Sequence, residues 1–295
     1  MFPVIFLNLP RIIGLLALAM LLQACSAVKT AYNQAPTLAY LYLDGYVDFS
    51  DTQSTQVKND LTKMQAWHRQ TQLPAYIELL QKVQLKMPQD ITASQACEVF
   101  ADVRQKALAM LDHAEPAAQS LTISLTPKQL AAMQRKFAKS NASWREDFMD
   151  ASPKDIFEKR QKSAIRRADM LYGSVNDKQR KLIAQTIEQS NFKAAQSDAE
   201  RQRRQKDILQ TLGKITAYPP DAAQSTFAQK ELRALLQRSV ASPDAAYRSY
   251  LEQITADGCA NFAELHNTTT PEQRKKAVQV LAGYEQDFRA LVSQK

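Results

Sequence analysis

The side chains best suited to chemistry are scattered along the chain, and none forms a recognisable catalytic pattern. His68, His113 and His266 lie far apart, with no carboxylate or cysteine at the spacing of metal ligands. The sequence has no HExxH, no GxSxG and no glycine-rich phosphate loop. Although distant residues can assemble an active site, we expect no enzyme activity, no metal ion and no cofactor.

The densest group of functional side chains is Trp67, His68 and Arg69. At helical spacing His68 falls on an apolar face with Leu61 and Met64, so a hydrogen-bonded core histidine is favoured over a catalytic base. We take the three residues as a candidate interaction cluster.

An apolar run close to the N-terminus ends at a cysteine. Residues 12–22 carry no charge, follow Arg11 and are fewer than the ~20 that a spanning helix needs, so they fit a signal peptide. The run ends in Leu-Gln-Ala-Cys, which resembles the lipobox of bacterial lipoproteins. That resemblance implies cleavage after Ala24, a diacylglycerol on the Cys25 thiol and acylation of the new amino group. The alternative is an uncleaved anchor or a chance cysteine.

The residue after this cysteine predicts the destination. Ser26 stands where lipoproteins retained in the inner membrane usually have aspartate, so the resemblance implies the outer membrane, with the body facing the periplasm. Several acyl chains at ~0.8 kcal/mol per buried methylene make such anchoring effectively permanent. The expected partners are the membrane, through this anchor, and an envelope component. Nucleic acid is not an expected partner in the periplasm.

The other two cysteines, Cys97 and Cys259, predict one disulfide. An exported protein sits in an oxidising compartment, where an even pair of cysteines usually forms a bond. Neither residue has a second cysteine or a histidine at ligand spacing, which argues against metal binding. Two buried free thiols are the alternative.

Positive charge is concentrated in one segment. Without residues 1–24 the chain has 37 basic and 30 acidic side chains, and residues 154–206 contain 14 basic and 7 acidic ones, the same net +7. Anionic lipid headgroups, lipopolysaccharide phosphates or an acidic protein would suit such a surface. An ordinary solvated helix surface is the alternative. The residues predicted to contact an anionic partner are Arg166, Arg167, Arg201, Arg203 and Arg204.

The elements that must position these residues are helices. Ala, Gln, Lys, Arg and Leu are abundant, residues 25–295 contain only five glycines, and no strand pattern occurs. Four Ser/Thr-Pro pairs mark helix starts, whereas Pro74 and Pro116 are expected to end helices. We predict an all-α bundle of about nine helices after a short aromatic lead-in: 51–72, 74–87, 92–115, 126–150, 152–172, 176–217, 221–240, 242–266 and 270–294.

The chain divides into four predicted segments. Residues 1–24 are the signal peptide, and 25–50 are the lipidated N-terminus with the aromatic lead-in. Residues 51–150 and 151–295 form two helical halves, or one continuous domain. In either case a bond between the two remaining cysteines would tie the halves together.

Four helix starts share a Thr/Asn-x-x-Gln pattern, beginning at Thr92, Thr126, Asn176 and Thr270. Two of them, LTPKQLAAMQ and TTPEQRKKAVQVL, resemble the LTxxQ motif of small periplasmic helical proteins that act as chaperones or envelope-stress inhibitors. A capping box, in which the cap side chain and the glutamine bond to each other's backbone amides, explains the pattern without a shared function. We favour the capping interpretation.

A longer resemblance is to an uncharacterised Gram-negative lipoprotein family. The features that carry it are the lipobox, YLYLDGYVDF, WHRQTQLPAYIELL and AERQRRQKDILQTL. The resemblance implies a location and a fold but no activity. We therefore expect a non-enzymatic helical lipoprotein that binds an envelope component. The alternatives are an LTxxQ-like chaperone or envelope-stress factor, and a hydrolase that acts on cell-wall or lipid material.

Overall fold

The fold is all-α, as predicted. The computed structural model describes residues 27–294, in which eleven α-helices and one π-helical turn follow a short helical segment at 27–33 and no strand occurs. None of the helices in this part of the chain combines the length and apolarity needed to cross a membrane. The elements are α1 (Ala35–Val47), α2 (Asp51–Trp67), the π turn (His68–Gln72), α3 (Leu73–Lys86), α4 (Ala93–Ile123), α5 (Pro127–Phe148), α6 (Pro153–Tyr172), α7 (Asp177–Glu188), α8 (Ala194–Ala217), α9 (Ala222–Val240), α10 (Ala245–Asn267) and α11 (Pro271–Val292).

The aromatic lead-in forms a helix, α1, that was not among the nine predicted. The Tyr40 hydroxyl donates to Ser54 Oγ of α2 at 3.0 Å. Tyr46 lies beside Phe137 of α5, with ring centroids 5.7 Å apart. Because apolar residues occupy nearly every side of this segment, its sequence has no helical periodicity to mark it.

The predicted helix 176–217 is two helices in the structure, so this prediction was wrong. Residues 189–193 leave the helical path between α7 and α8. Contacts from other helices hold them there, since the Phe192 ring packs edge-on against Phe148 and the Lys193 amide donates to the Tyr250 hydroxyl at 3.0 Å. Tertiary contacts of this kind override local helix propensity.

Pro116 does not end a helix, contrary to the prediction. It lies inside α4, where it removes one backbone hydrogen bond at a cost of about 3 kcal/mol. The helix packs against both α9 and α10. Its residue Glu115 accepts from Arg233 Nε at 2.8 Å and from Gln229 Nε2 at 3.1 Å. These contacts hold α4 together across the proline.

Pro74 does not interrupt the helical path either. The π turn precedes it, and the Leu73 amide donates to the His68 carbonyl, five residues back. A wider turn at this point accommodates the proline ring, which would otherwise clash with the preceding turn. As a result α2 continues through the π turn into α3.

Five helices of the described chain begin with a capping box, and four of these boxes face each other in pairs. Gln53 of α2 and Gln129 of α5 are buried and donate to each other's side-chain oxygens, at 3.4 and 2.6 Å. Gln53 also donates to the Ser124 carbonyl, two residues before the cap of α5, and Gln129 to the Asp48 carbonyl, two residues before the cap of α2. Each glutamine thus caps its own helix and also bonds to the loop that precedes the other helix.

A second pair repeats the arrangement. Gln179 of α7 and Gln273 of α11 exchange hydrogen bonds at 2.8 and 3.0 Å. They donate in addition to the carbonyls of Thr268 and Ser174, each again two residues before the partner's cap. This geometry supports the capping interpretation of the repeated glutamines. The box that begins at Ser50 falls outside the Thr/Asn pattern because its cap is serine.

Gln129→Glu should lower the free energy of unfolding by about 2–3 kcal/mol. Glutamate keeps the capping box but loses the amide that donates to Asp48 and Gln53, and it places a carboxylate in a buried site. The matched control is Gln95→Glu, whose capping box has no glutamine partner among the described residues. Its effect should stay within about 0.5 kcal/mol. Urea unfolding measures both, and equal losses would contradict a role for the pairing.

The predicted disulfide is confirmed. Cys97 of α4 and Cys259 of α10 are bonded, with Cα atoms 5.3 Å apart. Cys259 is fully buried, in a cluster with Ile91, Ala96 and Ala263. Helices from both sides of residue 150 meet elsewhere as well, because α3 packs against α11 and α4 packs against α9 and α10.

Candidate functional site

The candidate site is a cavity of about 630 Å³ lined by residues of α3, α4, α6, α7, α10 and α11. Its walls include Met87, Ala168 and Ile183, which are buried, and Leu171 and Leu265, which are partly buried. The volume lies in the range of small-molecule sites, roughly 300–1,000 Å³. Because most of the lining is apolar, the cavity suits an apolar group.

All charged side chains that line the cavity are cationic, namely Lys86, Arg160 and Arg167. Lys86 has an ion-pair partner, Glu98, at 3.3 Å. Among residues 27–294 neither arginine has one. Arg160 Nη2 donates to Ser190 Oγ at 2.8 Å, and burial lowers the pKa of Arg160. A bound anion would offset this desolvation of its charge.

A buried tyrosine–histidine pair lies at the wall of the cavity. Tyr172 lines it, and its hydroxyl lies 2.9 Å from His266 Nδ1, while His266 Nε2 lies 2.8 Å from the Gln89 carbonyl. Since a carbonyl only accepts, Nε2 carries the proton and Nδ1 accepts from the tyrosine. Burial lowers the pKa of His266 and raises the pKa of Tyr172, which favours the neutral forms. The pair thus links α6 to α10 through hydrogen bonds.

The disulfide lies beside the cavity. Ala96 and Gly258, the chain neighbours of the two bonded cysteines, both line its wall. The bond therefore fixes α4 relative to α10 at the place where both helices face the cavity. Removing it would free one side of the wall.

Three of the five arginines predicted to contact an anion are engaged within the fold, which corrects the prediction for them. Arg203 and Arg204 both pair with Glu200, with nitrogen–oxygen distances of 2.7 Å. Arg201 lies 3.8 Å from Asp198 and also donates to two residues of α5. Acidic residues of the same helix pair with all three, and polar groups of α5 bond to Arg201, for which the sequence offered no partner at i,i+4 spacing.

The other two, Arg166 and Arg167, are exposed on α6, and only Arg167 lines the cavity. Arg160 also lines the cavity, although it was not among the five predicted residues. A helical wheel of α6 indicates that Arg160 and Arg167 lie on the face towards the cavity, because they are on the same side of the helix as small and apolar residues. The residues that share this face with Arg160, at i+4, i+7, i+8 and i+11, are Ala164, Arg167, Ala168 and Leu171.

The residues of the candidate interaction cluster contact two different parts of the fold, α4 and the helical segment before α1. Trp67 stacks on a histidine of α4, with ring centroids 3.9 Å apart. His68 Nδ1 lies 3.0 Å from the Tyr32 hydroxyl, and Arg69 Nη2 donates to Asn33 Oδ1 at 3.0 Å. These contacts hold the helical segment that precedes α1 against the π turn. A role of the cluster in binding a partner stays a prediction.

Two further predictions concern the leader with its lipid anchor and the metal ligands. Cys25 and the predicted leader lie outside the described residues, so the signal peptide and the lipid anchor stay predictions. Within residues 27–294, no group of three or more His, Cys, Asp and Glu side chains is placed to hold a metal ion.

Comparison with known proteins identifies a family but no activity. One family model, described as a family of unknown function, matches residues 45–257. No curated protein and no solved structure shows a significant match. The function must therefore be argued from the cavity and its lining.

Proposed function

Given that the chain belongs to a family of unknown function, DUF6279, we propose that it binds an anionic amphiphile with an acyl chain, an envelope component of the lipid type. It does so as a non-enzymatic lipoprotein, anchored to the outer membrane through Cys25 and facing the periplasm. The observation that carries the proposal is an apolar cavity whose charged lining is entirely cationic.

The walls of the cavity support the acyl part of this ligand. Val99, Phe100, Leu182 and Ile187 extend the apolar lining beyond the buried cluster. Each methylene group transferred from water to such a site contributes about 0.8 kcal/mol. A chain of about ten carbons would gain several kcal/mol in this way, before the entropic cost of association is subtracted.

Arg160 and Arg167 support the anionic part. They lie seven residues apart on α6, which is two turns or about 10 Å along the helix axis, and both line the cavity. A headgroup next to α6 can therefore bond to either guanidinium. A hydrogen bond between charged groups contributes about 1.5–3 kcal/mol.

Replacing both arginines, Arg160→Gln with Arg167→Gln, should weaken the binding of dodecanoate at least about tenfold, because the carboxylate then has neither guanidinium to bond to. Isothermal titration against dodecanoate and against dodecylamine, which has the same chain and the opposite charge, measures the effect. Wild type should prefer the anion. The matched control is Arg166→Gln, which removes a neighbouring charge that does not line the cavity, and it should keep that preference.

Two results would count against the proposal. If Arg166→Gln weakens binding as much as the double substitution, the effect comes from the overall charge of α6 and not from the cavity. If dodecanoate binds wild type and binds equally to Ala164→Phe, in which a bulky ring occupies the cavity, the ligand lies elsewhere. Absence of any binding to wild type would remove the acyl anion as a ligand class.

The two alternative functions have no comparable observation in their favour. The glutamines that suggest an LTxxQ-like chaperone or envelope-stress factor are engaged in capping and pairing. A hydrolase needs a carboxylate or histidine with a partner in a cleft, and the described lining residues include neither type. Both functions therefore remain hypotheses from the sequence.

A further inference from the structure

The first helix carries an apolar stripe that the described part of the chain leaves uncovered. Leu38, Leu41 and Tyr42 lie at positions i, i+3 and i+4 and are 57, 59 and 66 % exposed. Ala35 and Gly45 continue the same face and are also exposed. The other large exposed apolar side chains outside α1 are spread over five helices of residues 27–294. An exposed apolar concentration of this kind marks an interaction surface.

We infer that this α1 stripe (Ala35, Leu38, Leu41, Tyr42 and Gly45) rests on the surface of the bilayer at the level of the lipid headgroups. Leucines on one face of an interfacial helix insert into the boundary of the acyl chains, and tyrosine rings reside among the headgroups. The inference rests on the proposed attachment at Cys25, which brings the helix to the membrane.

The place of α1 in the chain favours a bilayer over other occupants. Ala35 follows Cys25 by ten residues, which span at most about 35 Å even when fully extended. Residues 27–33 are helical, and a helix rises only about 1.5 Å per residue, so the actual separation is shorter. A lipid on Cys25 would therefore enter the membrane close to the stripe.

The segment between the anchor and α1 is fastened to the body of the protein. Lys29 Nζ lies 3.9 Å from Asp287 Oδ1, a buried carboxylate of α11. Tyr32 bonds to His68, and Gln65 Nε2 donates to the Tyr32 carbonyl. This attachment limits how far the body can rotate about its lipid, so α1 stays on the membrane side.

Positive charge next to α1 matches the phosphates of a bilayer. Lys58 Nζ lies 4.3 Å from the centre of the Tyr40 ring, and Lys136 Nζ lies 5.5 Å from the centre of the Tyr46 ring. The one acidic residue of α1, Asp44, accepts from the Phe49 amide at 3.0 Å. The helix therefore has cations at its sides, and its single carboxylate is bonded to the backbone.

Quenching by brominated lipid tests the inference. The lipidated chain, which begins at Cys25 after cleavage, is reconstituted in phosphatidylglycerol-containing vesicles whose acyl chains carry bromine near the headgroup. Leu41→Trp places an indole on the stripe, and Leu85→Trp, at a leucine of α3 that is 79 % exposed, is the matched control. The native tryptophans contribute equally to both variants. We expect the added indole of Leu41→Trp to be quenched at least twice as strongly as that of Leu85→Trp.

Equal quenching of the two variants would overturn the inference. So would an emission spectrum of Leu41→Trp that is already shifted to the blue without vesicles, because a second copy of the chain would then cover the stripe. Flotation of wild type and Cys25→Ser reports on the anchor separately. A chain that floats without quenching at the stripe contradicts the stripe alone, and stripe quenching that persists in Cys25→Ser contradicts the anchor alone.

Discussion

Replacing Cys97 and Cys259 together by alanine should lower the free energy of unfolding by about 2–5 kcal/mol. The bond joins residues 162 positions apart, so it removes a large part of the conformational freedom of the unfolded chain. The chain-entropy relation gives about 5 kcal/mol for such a loop, as an upper figure. Urea unfolding under non-reducing conditions measures the loss, and mass analysis of the unreduced wild type should find the two cysteines linked.

Reduction supplies the matched control for this change. Wild type with a thiol reductant should unfold at the same urea concentration as the double variant, which should itself not respond to the reductant. A variant as stable as oxidised wild type would show that the bond contributes nothing. Because the bond lies beside the cavity wall, the same variant should also bind dodecanoate more weakly than wild type does.

Glu200→Gln should lower the free energy of unfolding by about 2–3 kcal/mol. The carboxylate is 5 % exposed and accepts from Arg203, Arg204 and the Ser242 hydroxyl, which follows α9. Glutamine has nearly the same shape but leaves Arg204 without its counter-charge, whereas Arg203 keeps only Asp207, at 3.4 Å. We place the loss below that of a fully buried ion pair because both arginines are partly exposed to water.

The same carboxylate makes stability depend on pH in the acid range. Burial alone would raise the pKa of Glu200, but hydrogen bonds from Arg203, Arg204 and Ser242 outweigh it and lower the pKa to about 2, from 4.5. Below pH 4.5 the Glu200 side chain is protonated in the unfolded chain but is still ionised in the folded chain. This contribution to stability is therefore complete above pH 4.5 and is lost as the pH falls towards 2.

The matched control is Glu188→Gln, which removes an exposed carboxylate of α7. It should change stability by less than about 0.5 kcal/mol and leave the acid profile of wild type intact. In Glu200→Gln the fall in stability between pH 4.5 and 2 should be shallower than in wild type. Parallel acid profiles for Glu200→Gln and wild type would contradict the assignment.

Those parts of the fold that depend on local chemistry could be predicted from the sequence. Thr126, Ser152 and Thr270 cap α5, α6 and α11 at the predicted residues, because a hydroxyl followed by proline suits a helix start. The fourth such pair was predicted wrongly, since α10 begins at Ala245 with Asp244 as its cap, and the Ser242 hydroxyl donates to Glu200 instead. The disulfide followed from an even number of cysteines in an oxidising context. Both signals act within a few residues or through one covalent bond.

The parts that depend on distant contacts could not be predicted. The break at 189–193 is held by Phe148 and Tyr250, and Pro116 is tolerated because two other helices pack along α4. The charges of the basic segment were counted correctly, but counting gives no geometry. Within that segment Arg201 donates to Ser140 and Asn141 of α5, whereas Arg160, which was not among the predicted residues, lines the cavity.

The paired glutamines bear on the order in which the chain assembles. A capping box involves residues three positions apart and can form as soon as its own helix does, within about a microsecond. The partner of Gln53 lies 76 residues away, and that of Gln179 lies 94 residues away, so these bonds must wait until long loops have closed. Each glutamine therefore has two roles that follow one another during folding. It first sets where its own helix begins, before the helices have packed. Later its side-chain amide donates to a carbonyl of the loop before the partner helix, which is possible in only one register of the two helices.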